Sequence, residues 1–216
     1  MEIVIPLYEG FTALDAVGPY QVLSHLPEAR VRFLGPEAGT VMCDDLVLGL
    51  LAEGRWEDCG SPDVIVVPGG IGSRAHLADE RLLGWLRGAH ETSAWTTSVC
   101  TGSLLLAAAG ILEGLEATTH WLAMDRLAQL GARPTTDRVV EQGKVITAAG
   151  VSSGIDMALR LAELAAGTEA AQAVQLAIEY DPQPPFDAGS PDKAPAAVVE
   201  LVRRAQQADE RTERQR

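Results

Sequence analysis

The chain has 216 residues, with 17 Lys and Arg against 30 Asp and Glu, a formal net charge of −13 at pH 7. That balance argues against sequence-independent binding to nucleic acid or an anionic membrane, which needs clustered basic side chains, and no apolar run approaches the about 18 residues of a spanning helix. With 47% apolar and 22% charged residues, a chain of this length can bury roughly 70% of its unfolded surface in one core.

The opening MEIVIPLYEG has neither a basic leader nor a small-residue cleavage site, so no signal peptide is expected. Cys43, Cys59 and Cys100 are odd in number, widely spaced and without a C-x-x-C pair. This fits a reducing, cytoplasmic compartment and neither a disulfide framework nor a zinc site.

In chain order, residues 3–7 and 31–34 read as short strands, with a helix containing Pro19 between them. The almost purely apolar run DVIVV at 63–67 and WTTSV at 95–99 suit parallel strands covered on both faces. Between them, residues 79–91 place Leu82, Leu83, Leu86 and Ala89 at helical spacing. Helices are expected over 104–112, stopping at Gly110, and over 121–130, stopping at Gly131. Val139 and Val140, a turn at Gln142-Gly143 and then 145–147 read as a hairpin, followed by helices over 155–166 and 169–180. A proline-rich stretch, 181–195, predicts an extended loop before a last helix from 196 to about 211, and the tail within 203–216 should fray. The alternation predicts a single α/β domain over 1–216, an open and mostly parallel sheet with helices on both faces.

In such sheets, ligands bind in the loops beyond the carboxyl ends of the strands. Three features fall there. Cys100, in TSVCTGS, occupies a sharp strand-to-helix turn, the place of a nucleophile elbow. Free N–H groups and the positive end of the helix dipole are expected there to lower the thiol pKa. For Cys43 and Cys59 a buried, inert role is expected. Second, Pro68-Gly69-Gly70-Ile71-Gly72 follows a strand, and its glycines can expose backbone N–H groups as an oxyanion hole; alone the signal is weak, since Gly-rich turns after strands usually just turn. Third, Asp15 lies among apolar neighbours after the first strand, which suits a carboxyl with a raised pKa acting as acid and base; a helix cap is the equal alternative. His120, beside Trp121, reads as a packed residue, and Asp156 as a first-turn residue of its helix; Glu179 is a further candidate. No set of residues has metal-ligand spacing, and no metal or cofactor is expected.

Together the motifs resemble the ThiJ/PfpI superfamily, the class I glutamine amidotransferase-like group with a flavodoxin-type three-layer sandwich. The match covers F-x-x-L-D-x-x-G-P-x-x-V-L at 11–23, D-V-I-x-V-P-G-G at 63–70, T-S-V-C-T-G-S at 97–103, A-A-G-I-L-x-G at 108–114, A-T-T-H-W at 117–121, G-V-S-S-G-I-D at 150–156 and E-Y-x-P-x-P-P-F-x-A-G-S-P at 179–191. The combination of Leu14-Asp15, Cys100-Thr101-Gly102 and the Pro-Pro-Phe loop looks most like the bacterial isocyanide hydratases. Protease-like members place a His after the nucleophile, where this chain has Thr101; deglycase and glyoxalase members use a Glu where it has Asp15. Relatives that act as sensors carry an AraC-type DNA-binding module, and this chain ends before one is expected.

The resemblance implies cofactor-free hydration of an isocyanide to a formamide, with Cys100 as nucleophile, Asp15 as acid and base, and Thr101 as a helper. Gly70, Ile71 and Gly150 would hold the substrate or an oxyanion. A small-molecule substrate, a homodimer and no nucleic-acid or membrane partner go with it. A glyoxalase-type enzyme and a non-enzymatic sensor of electrophiles or oxidants are the alternatives.

Overall fold

A computed structural model describes residues 1–213, and side chains through Gln206. The elements in order are β1 (Glu2–Pro6), α1 (Ala13–Leu23), β2 (Arg30–Gly35), β3 (Gly39–Met42), β4 (Gly49–Ala52), β5 (Gly54–Arg55), β6 (Val64–Val67), α2 (Glu80–Thr92), β7 (Trp95–Val99), α3 (Gly102–Ala108), β8 (Glu116–Ala117), α4 (Met124–Gln129), β9 (Arg133–Pro134), β10 (Val139–Gln142), β11 (Val145–Ala148), α5 (Ser153–Ala166), α6 (Thr168–Ala177) and α7 (Ala196–Glu213). The chain divides into two compact units, Met1–Glu179 and one that begins at Tyr180.

The first unit holds a seven-stranded sheet in the order β10-β11-β7-β6-β1-β2-β5. All its pairings are parallel except β10 with β11. Ile3, Val4 and Ile5 of β1 and all four residues of β6 are fully buried, because helices cover both sheet faces. The connection β1-α1-β2 runs one way along the sheet and β6-α2-β7 runs the other. With right-handed crossovers, these steps put their helices on opposite faces. Accordingly α1, α5 and α6 pack together in one layer, and α2, α3 and α4 in the other. This is the flavodoxin-like three-layer sandwich. The reversal of direction falls between β1 and β6, the crevice where such sheets bind ligands.

Strand β7 spans the expected residues, and α2 is shifted by one because Asp79 caps it, accepting from the Arg81 and Leu82 amides. The expected helix over 121–130 begins as a 3-10 turn, Trp121–Ala123, before becoming α4. The hairpin β3–β4 was not expected from the sequence. In the second unit, residues 181–195 form no helix or strand, and none of residues 180–206 is buried. Helix α7 runs through Glu213; the last part of the expected frayed tail, 214–216, lies outside the described residues. No helix among the described residues is long and apolar enough to cross a membrane.

Candidate active site

The chain leaves β7 at Val99 and turns at Cys100 with φ of 55°, a left-handed conformation unusual for a residue with a side chain. Surrounding bonds hold that strained turn. The Cys100 amide donates to the Ala148 and Ala149 carbonyls at 3.1 and 2.8 Å, and its own carbonyl accepts the Thr119 and Ser103 hydroxyls, both at 3.0 Å. Gly102 lets α3 start hard against the end of β6, since a Cβ there would overlap the Val67 carbonyl oxygen. The elbow read from the sequence is thus an observed backbone conformation.

Asp15 lies in the first turn of α1 and is fully buried. Its side chain does not cap that helix. Oδ2 crosses to the loop after β6 and accepts the Gly69 amide at 2.8 Å, whereas Oδ1 is buried with no hydrogen-bond partner. Burial is the main force lifting its pKa to about 7; the Gly69 amide opposes the rise, Asp44 adds to it, and Cys100 acts weakly in the lowering direction. Although Cys100 acts on the carboxyl, no donor completes normal hydrogen-bond geometry to Oδ1.

The Cys100 thiol departs from expectation. Burial first, and the neighbouring Asp15 second, push its pKa up to about 12. The amides of Val151 and Thr101 and the Thr101 hydroxyl act on the thiol in the lowering direction, but they do not win. Desolvation in a closed site outweighs the end of a seven-residue helix. At pH 7 a thiol with that pKa alone would be ionised roughly once in 10⁵ molecules. Asp15 is the carboxylate beside this thiol.

Thr101 is engaged with the loop. The Gly70 amide donates to Thr101 Oγ1 at 2.9 Å, and the Thr101 hydroxyl is placed to donate back to the Gly70 carbonyl at 3.1 Å. Its single proton serves either that carbonyl or the Cys100 sulfur, and the Gly70 N–H is already used. Ile71 begins a 3-10 turn, Ile71–Arg74, behind Gly70, whose φ is 136°. Gly150 faces His120, as a Cβ there would lie 3.0 Å from His120 Cδ2. His120 caps the next 3-10 turn, Nδ1 accepting the Leu122 amide at 3.4 Å, and no hydrogen bond joins it to Cys100. Asp156, in the first turn of α5, pairs with Arg138. Glu179 ends the first unit. Cys43 is buried, with its pKa pushed up to about 11 mainly by burial, and Cys59 is half-buried and also raised, burial again leading.

Three neighbours were not anticipated. The Tyr8 hydroxyl, fully buried, donates to the Pro68 carbonyl at 2.7 Å; burial, then Asp15, then Cys100 hold its proton on. The Val151 amide, just beyond β11, which pairs with β7, acts on the Cys100 thiol in the lowering direction. Asp44, on the hairpin, accepts the Thr12 hydroxyl at 2.5 Å. Of these only Tyr8 had a signal in the sequence, a polar aromatic just beyond the end of a buried strand.

A model of the DJ-1/PfpI family matches residues 1–164. The chain belongs to the DJ-1/PfpI family. Among curated DJ-1/PfpI relatives, it is 45% identical to the isonitrile hydratase of Pseudomonas putida over 94% of this chain and 89% of that protein. It is 30% identical to a glutathione-independent glyoxalase of Caenorhabditis elegans, over 50% of this chain and 57% of that one. Among solved structures, a ThiJ/PfpI family protein from Pseudomonas syringae superposes with a TM-score of 0.89 at 37% identity, covering 94% of this chain and 86% of the other.

Proposed function

We propose that this chain hydrates isocyanides to N-substituted formamides without a cofactor, using Cys100 as nucleophile and Asp15 as the one acid and base. The observation that carries the reading is the buried, unpartnered Asp15 Oδ1 beside a thiol too weakly acidic to ionise alone. Near-full-length similarity to an isonitrile hydratase supports it. Ionised Asp15 takes the thiol proton as the sulfur attacks the terminal isocyanide carbon, and returns that proton to the same carbon, giving the thioimidate R–N=CH–S–Cys100. Water then adds to this carbon; Asp15 takes one of its protons and passes it to nitrogen. Collapse of R–NH–CH(OH)–S breaks the carbon–sulfur bond, releases R–NH–CHO and returns the hydroxyl proton to the sulfur. The sum is one isocyanide and one water to one formamide.

The Val151 and Thr101 amides steady negative charge on the sulfur during attack. Thr101 ties the elbow to the Gly70 loop, while Gly70, Ile71 and Gly150 line the approach for a small substrate. A cytoplasmic homodimer belongs to the same reading. The hairpin tip supports a second copy, since Leu46, Val47 and Leu51 are 65%, 86% and 69% exposed.

The test is formamide formation from para-nitrophenyl or cyclohexyl isocyanide, with Cys100→Ala as control. Methylglyoxal turnover without isocyanide turnover would favour the glyoxalase-type reaction. A modified Cys100 with no turnover of either would favour a sensor.

A further inference from the structure

The turn that leads into α1 is bonded to the loop end of the β3–β4 hairpin. The Gly10 amide donates to the Met42 carbonyl at 3.0 Å, and the Asp44 amide to the Phe11 carbonyl at 3.0 Å. Thr12 precedes α1 in the capping position, yet its hydroxyl caps nothing and donates instead to Asp44 Oδ2 at 2.5 Å. The rest of Thr12 is fixed as well. Its amide donates to the Gly69 carbonyl at 2.8 Å, and its carbonyl accepts the Asp15 amide at 3.1 Å. Asp44 thus grips the residue that sits between the Gly69 loop and the proposed acid. An Asn could accept the Thr12 hydroxyl equally well, so the charge of Asp44 is not needed for the clamp.

We propose that Asp44 is a positioning residue for Asp15, clamping through Thr12 the turn from which α1 presents the carboxyl, and placing a second negative charge beside it. The charge has a use in the reaction. A base that takes a proton from a thiol as weak as Cys100 works better when a neighbouring carboxylate makes it more proton-attracting. The titratable groups acting around Asp15 are Asp44 from the hairpin, Cys100 from the elbow, and Tyr8 from the end of β1, whose phenol stays protonated. Among these Asp44 is exposed and outside the reacting pair. The proposal rests on the hydratase reading only for its turnover arm.

The experiment compares wild type with Asp44→Asn, which keeps an acceptor for Thr12 and loses the charge, and Asp44→Ala, which loses both. Two midpoints are read: the Asp15 carboxyl by ¹³C NMR, assigned with Asp15→Asn, and the rising limb of kcat/KM against pH with para-nitrophenyl isocyanide. Asp44→Asn should fold, judged by near-UV circular dichroism, and move both midpoints to lower pH by roughly half a unit or more. Asp44→Ala should add a loss of about tenfold or more in kcat, since Thr12 then lacks its acceptor. An NMR midpoint unchanged in Asp44→Asn overturns the electrostatic half. Equal kcat in Asp44→Ala and Asp44→Asn overturns the clamp. If wild type does not turn over isocyanides, the hydratase reading fails, while the NMR midpoint still decides the role of the charge.

Discussion

Asp15 accepts the Gly69 amide at 2.8 Å through one carboxyl oxygen and leaves the other buried with no partner. One bond fixes the direction of the carboxyl, and the open oxygen is where a proton can arrive and leave. A fully bonded carboxylate would be held ionised and would be a poor base. The strain of Cys100 and the desolvation of Asp15 both cost stability. Both fall at the carboxyl ends of the strands that flank β6, Cys100 after β7 and Asp15 after β1, against the loop that follows β6.

The first expected outcome concerns pH. Catalysis as proposed needs one proton shared between Asp15 and Cys100, and the pair loses its first proton near pH 7, the value of buried Asp15. Turnover measured as kcat/KM should rise through about pH 7 to a plateau. Iodoacetamide labelling of Cys100 should rise through the same point, ahead of Cys43 and Cys59. Labelling that begins only above pH 10 would remove Asp15 as the base.

Asp15→Asn should cost turnover and add stability. The folded pKa of about 7 stands above the reference value of 3.8, so this group favours folding fully below about pH 3.8 and loses that contribution as pH rises through 7. The difference, 7 − 3.8, is about 3 units, an upper limit near 4 kcal/mol. Asn keeps an acceptor for Gly69 without the ionisation. Urea melts should show the variant more stable than wild type by about 2–4 kcal/mol at pH 8, and by under about 1 kcal/mol near pH 4. Its kcat should fall roughly 10²-fold or more. A variant that is equally stable at both pH values would show that Asp15 is not held against ionisation.

The parallel core was legible because apolar runs such as residues 63–67 have few other uses, and the elbow because Cys100 stands directly between such a run and a small-residue helix start. The raised pKa of Cys100 was not legible, since the helix-end effect is local in sequence while the neighbours that enclose the turn, such as Thr119, Ala148 and Ala149, lie far along the chain. The hairpin was missed because its strands are four residues each, and Gly49 interrupts the apolar run 46–52. Asp44 went unnoticed with it. Its bond to Thr12 spans 32 positions, a distance at which spacing carries no signal.

Gly69 should tolerate no side chain. An ideal Cβ there lies 2.5 Å from the Thr101 nitrogen and 2.9 Å from Asp15 Oδ2, so Ala must push the elbow and the acid apart. Gly69→Ala is expected to lose about 1–3 kcal/mol in urea melts and at least tenfold in kcat. Gly84→Ala is the control. Within α2 its Cβ would meet only the Arg87 guanidinium at 3.8 Å, so a gain of about 0.5–1 kcal/mol and unchanged turnover are expected.

His120 should be dispensable for chemistry. Its Nδ1 accepts the Leu122 amide, which makes the ring a cap for the 3-10 turn, and its plane is tilted 35° from Trp121 with ring centres 5.9 Å apart. Burial first, and the Arg74 charge second, lower its pKa, so the ring is neutral near pH 7 and supplies no imidazolium to a thiolate. In the proposed reaction the proton that leaves Cys100 goes to Asp15 instead. His120→Asn keeps a side-chain acceptor for the Leu122 amide and is expected to fold and retain at least about a tenth of wild-type kcat, a loss under roughly 1.4 kcal/mol. The rising limb near pH 7 is the sharper readout. It should persist in His120→Asn, because Asp15 sets it, and any residual rate of Asp15→Asn should lack it. Loss of the limb in His120→Asn, together with a thousand-fold fall in kcat, would transfer the role of base from the carboxylate to the imidazole.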